Sequence, residues 1–342
     1  MTKQPNEIRS ISDLTQILKE LGEPIHGKTR FFRGQAKKWE LLPKIYRKNE
    51  SYLIENEDKI IKDVLTNCPD DFSPNDTLFE KLVKLQHYGY ATRLLDLTTN
   101  ALVALYFACN KEEYHEDLGD FIIFDIPDTK IKYADSDTVA ILAAISAQNK
   151  KFSLSNSLDY AQNKRSLAKT HYILENWNPD RLKLIENYIN SYILPFKNID
   201  EYKELVKKAA LEIGESAFIS SFNEEPPIIS LLHDIHTDKP SFRPVINPTD
   251  LTRVLCVRAK LNNARISRQQ GCFLLFGINN EKRNPAEIPD DWKRLPTKGK
   301  RFIVRNKKQI MQELKAFGIS RQTLFPELES QAQEIMAQYE SK

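Results

Sequence analysis

The chain has 342 residues, 41% of them apolar, enough to bury a core as one large domain or two. Its 50 basic and 47 acidic side chains leave a formal charge of +3, so no whole-molecule field points to nucleic acid or a membrane. No apolar run approaches the roughly 20 residues of a membrane span, and the polar start MTKQPNEIRSISDLTQ lacks a signal-peptide core.

Residues 12–21 have the period of a short helix, and 30–34 (RFFRG) read as a strand that Gly34 stops. After a loop around Pro43, residues 54–66 suggest another helix. Thr77 and Glu80 form a T-x-x-E capping box for a helix carrying Leu78, Leu82 and Leu85, and Gly89 suits the left-handed position that ends it. Residues 92–96 are extended. Asn100 caps an all-apolar helix over 101–109, and 121–124 form a buried strand after Gly119. From 144 to 220 the chain is rich in Lys, Asn, Glu and Leu at helical spacing, with Gly214 its single glycine. Strand patterns return at 253–258, 272–276 and 301–304, and a last helix over 306–317 ends at Gly318.

Strands at both ends with helices between them, in no strict alternation, give an α+β fold. Its core is expected in residues 1–140 and 221–342, interrupted by a helical insertion at 141–220. Cys68, Cys109, Cys256 and Cys272 stand far apart, without CxxC or metal spacing, and read as free thiols in a reducing compartment. The chain is thus expected to be soluble and cytoplasmic, with no bound metal and no membrane contact.

Three stretches concentrate unusual residues: FFRGQ at 31–35, LQHYGYATRLLDLTTNALVALYFA at 85–108, and RQQGCFLLFG at 268–277. With GISRQTLFPELE at 318–329 they resemble the FRG family, named for its aromatic-Arg-Gly motif. The resemblance covers most of the chain outside the insertion. More distantly, the blocks resemble the three-part signature of ADP-ribosyltransferases. Those enzymes open with a strand ending in aromatic-Arg-Gly, whose Arg holds a phosphate or ribose of NAD. A Ser/Thr motif before a helix of small and aromatic residues follows, then an acidic or amide residue before an apolar strand.

Arg33 matches the first block. Thr98 and Thr99, followed by Ala101, Ala104 and Phe107, match the second, and Gln270 or Gln269 falls at the third. This second resemblance implies an ADP-ribosyltransferase-like mixed or antiparallel sheet, with NAD as substrate or ligand. It implies a site of Arg33, Thr98 and Gln270, with Gly34, Gln35, His87, Tyr88, Arg93, Asp96 and Gln269 around the nucleotide. A protein or nucleic-acid acceptor, and a role as a bacterial toxin or antiviral effector, belong to the same implication.

The chemistry is coherent. Cleaving the nicotinamide–ribose bond passes through an oxocarbenium-like state, as glycoside hydrolysis does. The protein must clamp the dinucleotide, which suits an Arg fork, and stabilise developing positive charge. Gln where transferases carry Glu supplies no charge and no base. Nucleotide binding is therefore the firmer expectation than transfer, and the alternative is a non-catalytic module for nucleic acid or a nucleotide signal.

Structural readings stand beside these. Arg33 pairs with Asp96 or ties down carbonyls, Arg93 pairs with Asp96, and the threonines cap the next helix. His87 answers a helix dipole, and Gln269-Gln270-Gly271 form a turn or bulge. His233 and His236 in HDIH have no evident third ligand. Residues 293–308 hold eight basic side chains and no acid, read as a solvated strand edge or a nucleic-acid or phosphate-facing stripe. No Walker loop, GxSxG or GxGxxG is present.

Overall fold

Side-chain caps from Ser10, Thr77, Asn100 and Asn198 mark where four of the helices begin, and alternation along the strands sets which core each residue joins. A computed structural model describes residues 6–189, 198–260, 263–296 and 301–340. The first half runs β1 (Glu7–Ile8), α1 (Ile11–Leu21), β2 (Lys28–Gln35), α2 (Ser51–Glu55), α3 (Glu57–Asn67), α4 (Leu78–His87), β3 (Leu94–Thr98), α5 (Ala101–Cys109), β4 (Gly119–Pro127), β5 (Ile131–Tyr133) and α6 (Asp137–Ala144). Helices α7 (Ser155–Asn176), α8 (Pro179–Ile189), α9 (Ile199–Asn223), α10 (Pro226–Asp238) and α11 (Pro248–Leu251) follow. The chain closes with β6 (Val254–Arg258), α12 (Ala264–Gln269), β7 (Gly271–Phe276), β8 (Ile278–Asn279), β9 (Glu281–Pro285), β10 (Lys293–Arg294), β11 (Phe302–Val304), α13 (Lys307–Ala316), α14 (Arg321–Leu324) and α15 (Leu328–Glu340).

The fold is a mixed helix-and-strand architecture, 56% helical, around an open mixed sheet. Its strands lie in the order β1-β11-β4-β2-β3-β7-β6-β5, with β10 added beside β4. The β1–β11 and β5–β6 pairs are parallel, and the others in this sheet are antiparallel. Alternation sends Phe31, Leu95, Leu97, Phe124, Cys272 and Leu274 to one face, where they share a continuous core with Ile45, Tyr46 and Ile54. The other face carries two cores. Phe32, Phe121 and Ile123 pack against α5, α1 and α13, while Leu94, Phe273, Leu275 and Leu255 pack against α4, α6 and α10.

Several elements differ from their sequence outline. Gly34 does not stop its strand, since β2 continues through Gln35. There the strand crosses α5 so closely that a Cβ on Gly34 would lie 1.8 Å from the Ala104 carbonyl oxygen, and only glycine fits. The helix expected over 54–66 is broken at Asn56 into α2 and α3. Helix α6 spans residue 141 and is buried throughout 139–144 in the core it shares with Leu231 and Ile235 of α10. The helical lobe runs from α7 to the end of α9, with no strand among its described residues.

Candidate functional site

The sheet is nearly divided at its centre. β2 is paired with β4 along its whole length, and β3 with β7, but β2 and β3 share only the register pair Phe32–Thr98. Beyond that pair the two strands part, at the junction between the two helix-covered cores. A cleft of about 880 Å³ opens there, within the size range of small-ligand sites. Arg33, Gly34, Gln35, Asp96, Thr98 and Gln269 line it, with Gln86, Phe107 and Arg265 from the surrounding helices.

Arg33 is only 14% exposed. Its Nη1 donates to the Asp96 carbonyl at 2.6 Å and its Nε to Gln35 Oε1 at 3.3 Å. The Asp96 carboxylate stays 3.9 Å away. Burial lowers the Arg33 pKa from its ordinary value; Asp96 opposes that shift and Arg47 adds to it. Gln35, itself buried, donates to the Trp39 carbonyl at 3.0 Å and so ties the strand end to the next loop.

Thr98 donates its hydroxyl proton to the Gln269 carbonyl at 2.7 Å and accepts from the Asn100 N–H at 3.0 Å. Its donor is therefore engaged internally, and the cap of α5 is Asn100, not a threonine. Gln269 reaches the cleft wall but donates its side-chain amide to the Leu324 carbonyl at 3.1 Å. Gln270 is left-handed (φ 47°) at the end of α12, and its Oε1 accepts from Thr99 at 3.2 Å. It does not line the cleft as Gln269 does.

Three other expected residues stand outside the cleft lining. Arg93 is fully buried and makes a two-point pair with Glu57, its Nε 3.0 Å from Oε1 and its Nη2 on Oε2. Its Nη1 meets the Tyr46 hydroxyl at 3.3 Å and the Phe276 carbonyl at 3.1 Å. The structural partner is thus Glu57, not Asp96. Lys282 joins the same knot, 3.2 Å from Glu57, and burial pushes the Tyr46 hydroxyl up to about 12. His87 sits 3.2 Å from Glu327; burial and the nearby Arg265 lower its pKa against the pull of that carboxylate. Tyr88 is largely exposed on the surface.

Apart from Phe107, the aromatic walls were not singled out in the sequence. Trp39 and Tyr114 meet edge to face at 5.5 Å, with Lys37 and Lys111 over their rings. At the other side Phe107 stands 6.2 Å from Phe325, which lies under the Arg265 guanidinium at 4.5 Å. Phe325 lies inside a block already singled out, the one available signal; Arg265 stands three residues before another block, and Trp39 and Tyr114 lie in none.

Several residues of the weaker motifs have structural partners. His236 holds the Phe242 carbonyl at 2.9 Å, and no metal-binding cluster occurs among the described residues. In the basic stripe, Lys293, Arg294, Arg301 and Arg305 pair with Asp290, Asp125, Asp120 and Glu7. Lys307 is buried on the Ala36 and Tyr114 carbonyls. Lys298 and Lys300 lie outside the described residues. No described helix is long and apolar enough to cross a membrane.

Residues 28–117 match the family model of the FRG domain. The chain carries an FRG domain. The matched segment contains β2 with Arg33, β3 with Asp96 and Thr98, and α5, which are one side and the floor of the cleft. The blocks at 268–277 and 318–329 lie beyond the match, yet they pack onto the FRG segment at Thr98, Thr99 and His87. No curated protein and no solved structure matches the chain.

Proposed function

We propose that the cleft of the FRG domain binds NAD or a related nucleotide, with Arg33 clamping a phosphate. The observation that carries this reading is the state of Arg33: a desolvated guanidinium at a cleft floor, whose neighbouring carboxylate is 3.9 Å away and itself largely in solvent. Among the described residues its Nη2 makes no hydrogen bond. A buried cation with a free Nη2 is stabilised by an anionic partner such as phosphate. Arg47 and Lys111 on the same walls add positive charge beside Glu40 and Glu50, Lys48 being paired with Glu40 at 3.9 Å, and the Trp39–Tyr114 and Phe107–Phe325 pairs offer apolar surface to a base or nicotinamide ring.

The same site argues for binding before turnover. The third block has amides where a transferase would carry an acid; Gln269 is engaged on the end of α14 at Leu324, and Gln270 accepts from Thr99. The Thr98 hydroxyl is engaged internally as well. ADP-ribosyl transfer or NAD hydrolysis, a protein or nucleic-acid acceptor, and a cytoplasmic toxin or antiviral role rest on the resemblance to ADP-ribosyltransferases. The amides favour the second reading, a non-catalytic module for a nucleotide signal or nucleic acid.

Arg33→Lys keeps the charge and removes the fork. It is expected to weaken NAD binding by about 1–3 kcal/mol, the scale of a lost charge-assisted hydrogen bond, with an unchanged melting temperature. Calorimetric titration and melting curves on both proteins check this. Loss of stability with unchanged affinity would make Arg33 a structural residue, and no binding by the wild type would remove NAD as the ligand.

A further inference from the structure

Asp96 is an anomaly in its strand. In β3 its neighbours Leu94, Leu95, Leu97 and Thr98 are 2–4% exposed, while the Asp96 side chain is 63% exposed and opens into the cleft. An acid at the centre of an otherwise buried strand contributes nothing to the core. It is nevertheless held. Gln86 Nε2 donates to Asp96 Oδ1 at 2.8 Å. The Thr92 hydroxyl donates to Gln86 Oε1, which fixes the amide with its NH₂ toward the acid. This relay engages one carboxylate oxygen. The other, Oδ2, lies 3.9 Å from Arg33 Nη1, beyond the contact distance of a closed charge-assisted pair. A guanidinium with a free Nη2 and a carboxylate with a free oxygen thus stand side by side in one cleft.

Resting on the nucleotide reading of the cleft, we infer that Asp96 accepts the hydroxyls of the ribose next to the phosphate held by Arg33, making the site selective for ribonucleotides over their 2′-deoxy forms. The chemistry fits the pair: an ionised carboxylate is an acceptor only, so it complements hydroxyl donors and repels phosphate. Acidic side chains recognise the ribose 2′-hydroxyl in dinucleotide-binding folds in this way. A site built around a hydroxyl also discriminates strongly against the analogue lacking it, because its polar group is then left without a partner. Gln86 is the positioning residue, acting through Asp96, and Thr92 fixes Gln86 in turn.

The test compares NAD with the two 2′-deoxy-NAD analogues, one modified on the nicotinamide ribose and one on the adenosine ribose, by calorimetric titration. Wild type is expected to bind NAD roughly ten- to a hundredfold more tightly than one of the two analogues. Asp96→Asn, at an exposed position, is expected to melt like wild type and to lose that preference. Gln86→Met is expected to reduce it, and Arg33→Lys to weaken all three ligands while keeping the ratio. A wild type that binds NAD and both analogues equally overturns the inference and leaves the cleft reading intact. So does an Asp96→Asn protein that keeps the full preference. A wild type that binds none of the three overturns the cleft reading, and the inference falls with it.

Discussion

Arg33 and Arg93 show how much a single side chain's fate depends on what the fold brings to it. Both follow apolar or small polar residues in blocks of similar character, and either was open to a structural or a ligand-holding reading. Glu57 closes on Arg93 through two oxygens, which leaves that guanidinium no free fork. Arg33 has a carboxylate at 3.9 Å and is left with a free Nη2. The distinction was not legible, because Glu57 comes from a helix 36 residues upstream of Arg93. Gly34 was legible as special but for the wrong reason. A sequence displays a missing Cβ without displaying the backbone that passes beside it. In Gly34→Ala the new methyl would stand 1.8 Å from Ala104 O and 2.7 Å from Ala108 N, and neither backbone atom swings aside. A loss of about 3 kcal/mol is expected, the upper end of ordinary overpacking, seen as a lower urea midpoint. An unchanged midpoint would mean that α5 backs away from β2 at little cost.

Among the elements, the parts written in local chemistry were the readable ones. The capping box at Thr77 and Glu80 forms as expected and starts α4. Asn100 caps α5 through the Leu102 and Val103 N–H groups, and Gly89 and Gly318 take positive φ at their helix ends. The two-residue strands β1, β8 and β10 were invisible, since two residues cannot show alternation. Strand order was invisible too, because it is set by which cores meet. Glu80 offers a test of one readable element. Burial pushes its carboxyl up, but the Lys260 ammonium at 2.7 Å and the Thr77 N–H and hydroxyl outweigh this, leaving it below the ordinary value. A depressed folded pKa gives stability that is fully present above the unfolded value, about 4.3, and is lost as pH falls through the folded value. Glu80→Gln is therefore expected to lower stability by about 1 kcal/mol at pH 7, and the gap to wild type should close as pH drops below that range. Urea unfolding of both proteins at neutral and acid pH measures it. A gap that persists in acid would assign the effect to packing.

Over the whole molecule, the cleft is assembled from four blocks that lie far apart in sequence, and the FRG match covers only the first two. The C-terminal block completes the wall through a small set of contacts. Phe325 lies 4.5 Å under the Arg265 guanidinium and 6.2 Å from Phe107. Gln269 holds the Leu324 carbonyl at 3.1 Å, and Glu327 faces His87 at 3.2 Å. Phe325 is the point where these contacts meet, since its ring touches both α5 and the side chain of α12's Arg265. Phe325→Ala removes the cation–π partner and the aromatic edge contacts from a partly buried site, so a loss of about 2 kcal/mol is expected, below the range for a fully buried Phe. The effect should be local. Amides of Leu324 and Phe325, which donate to the Ser320 and Arg321 carbonyls, should exchange faster with solvent, as should that of Gln270, which donates to Ser267. Those of β2 and β4, secured along eight register pairs, should not. If this block forms a wall of the nucleotide site, NAD affinity falls in the same variant although Arg33 is untouched. Hydrogen exchange and calorimetry on one sample separate the cases. Faster exchange with unchanged affinity would place the C-terminal block outside the site, and unchanged exchange would show that the remaining Gln269 and Glu327 contacts hold it without the ring.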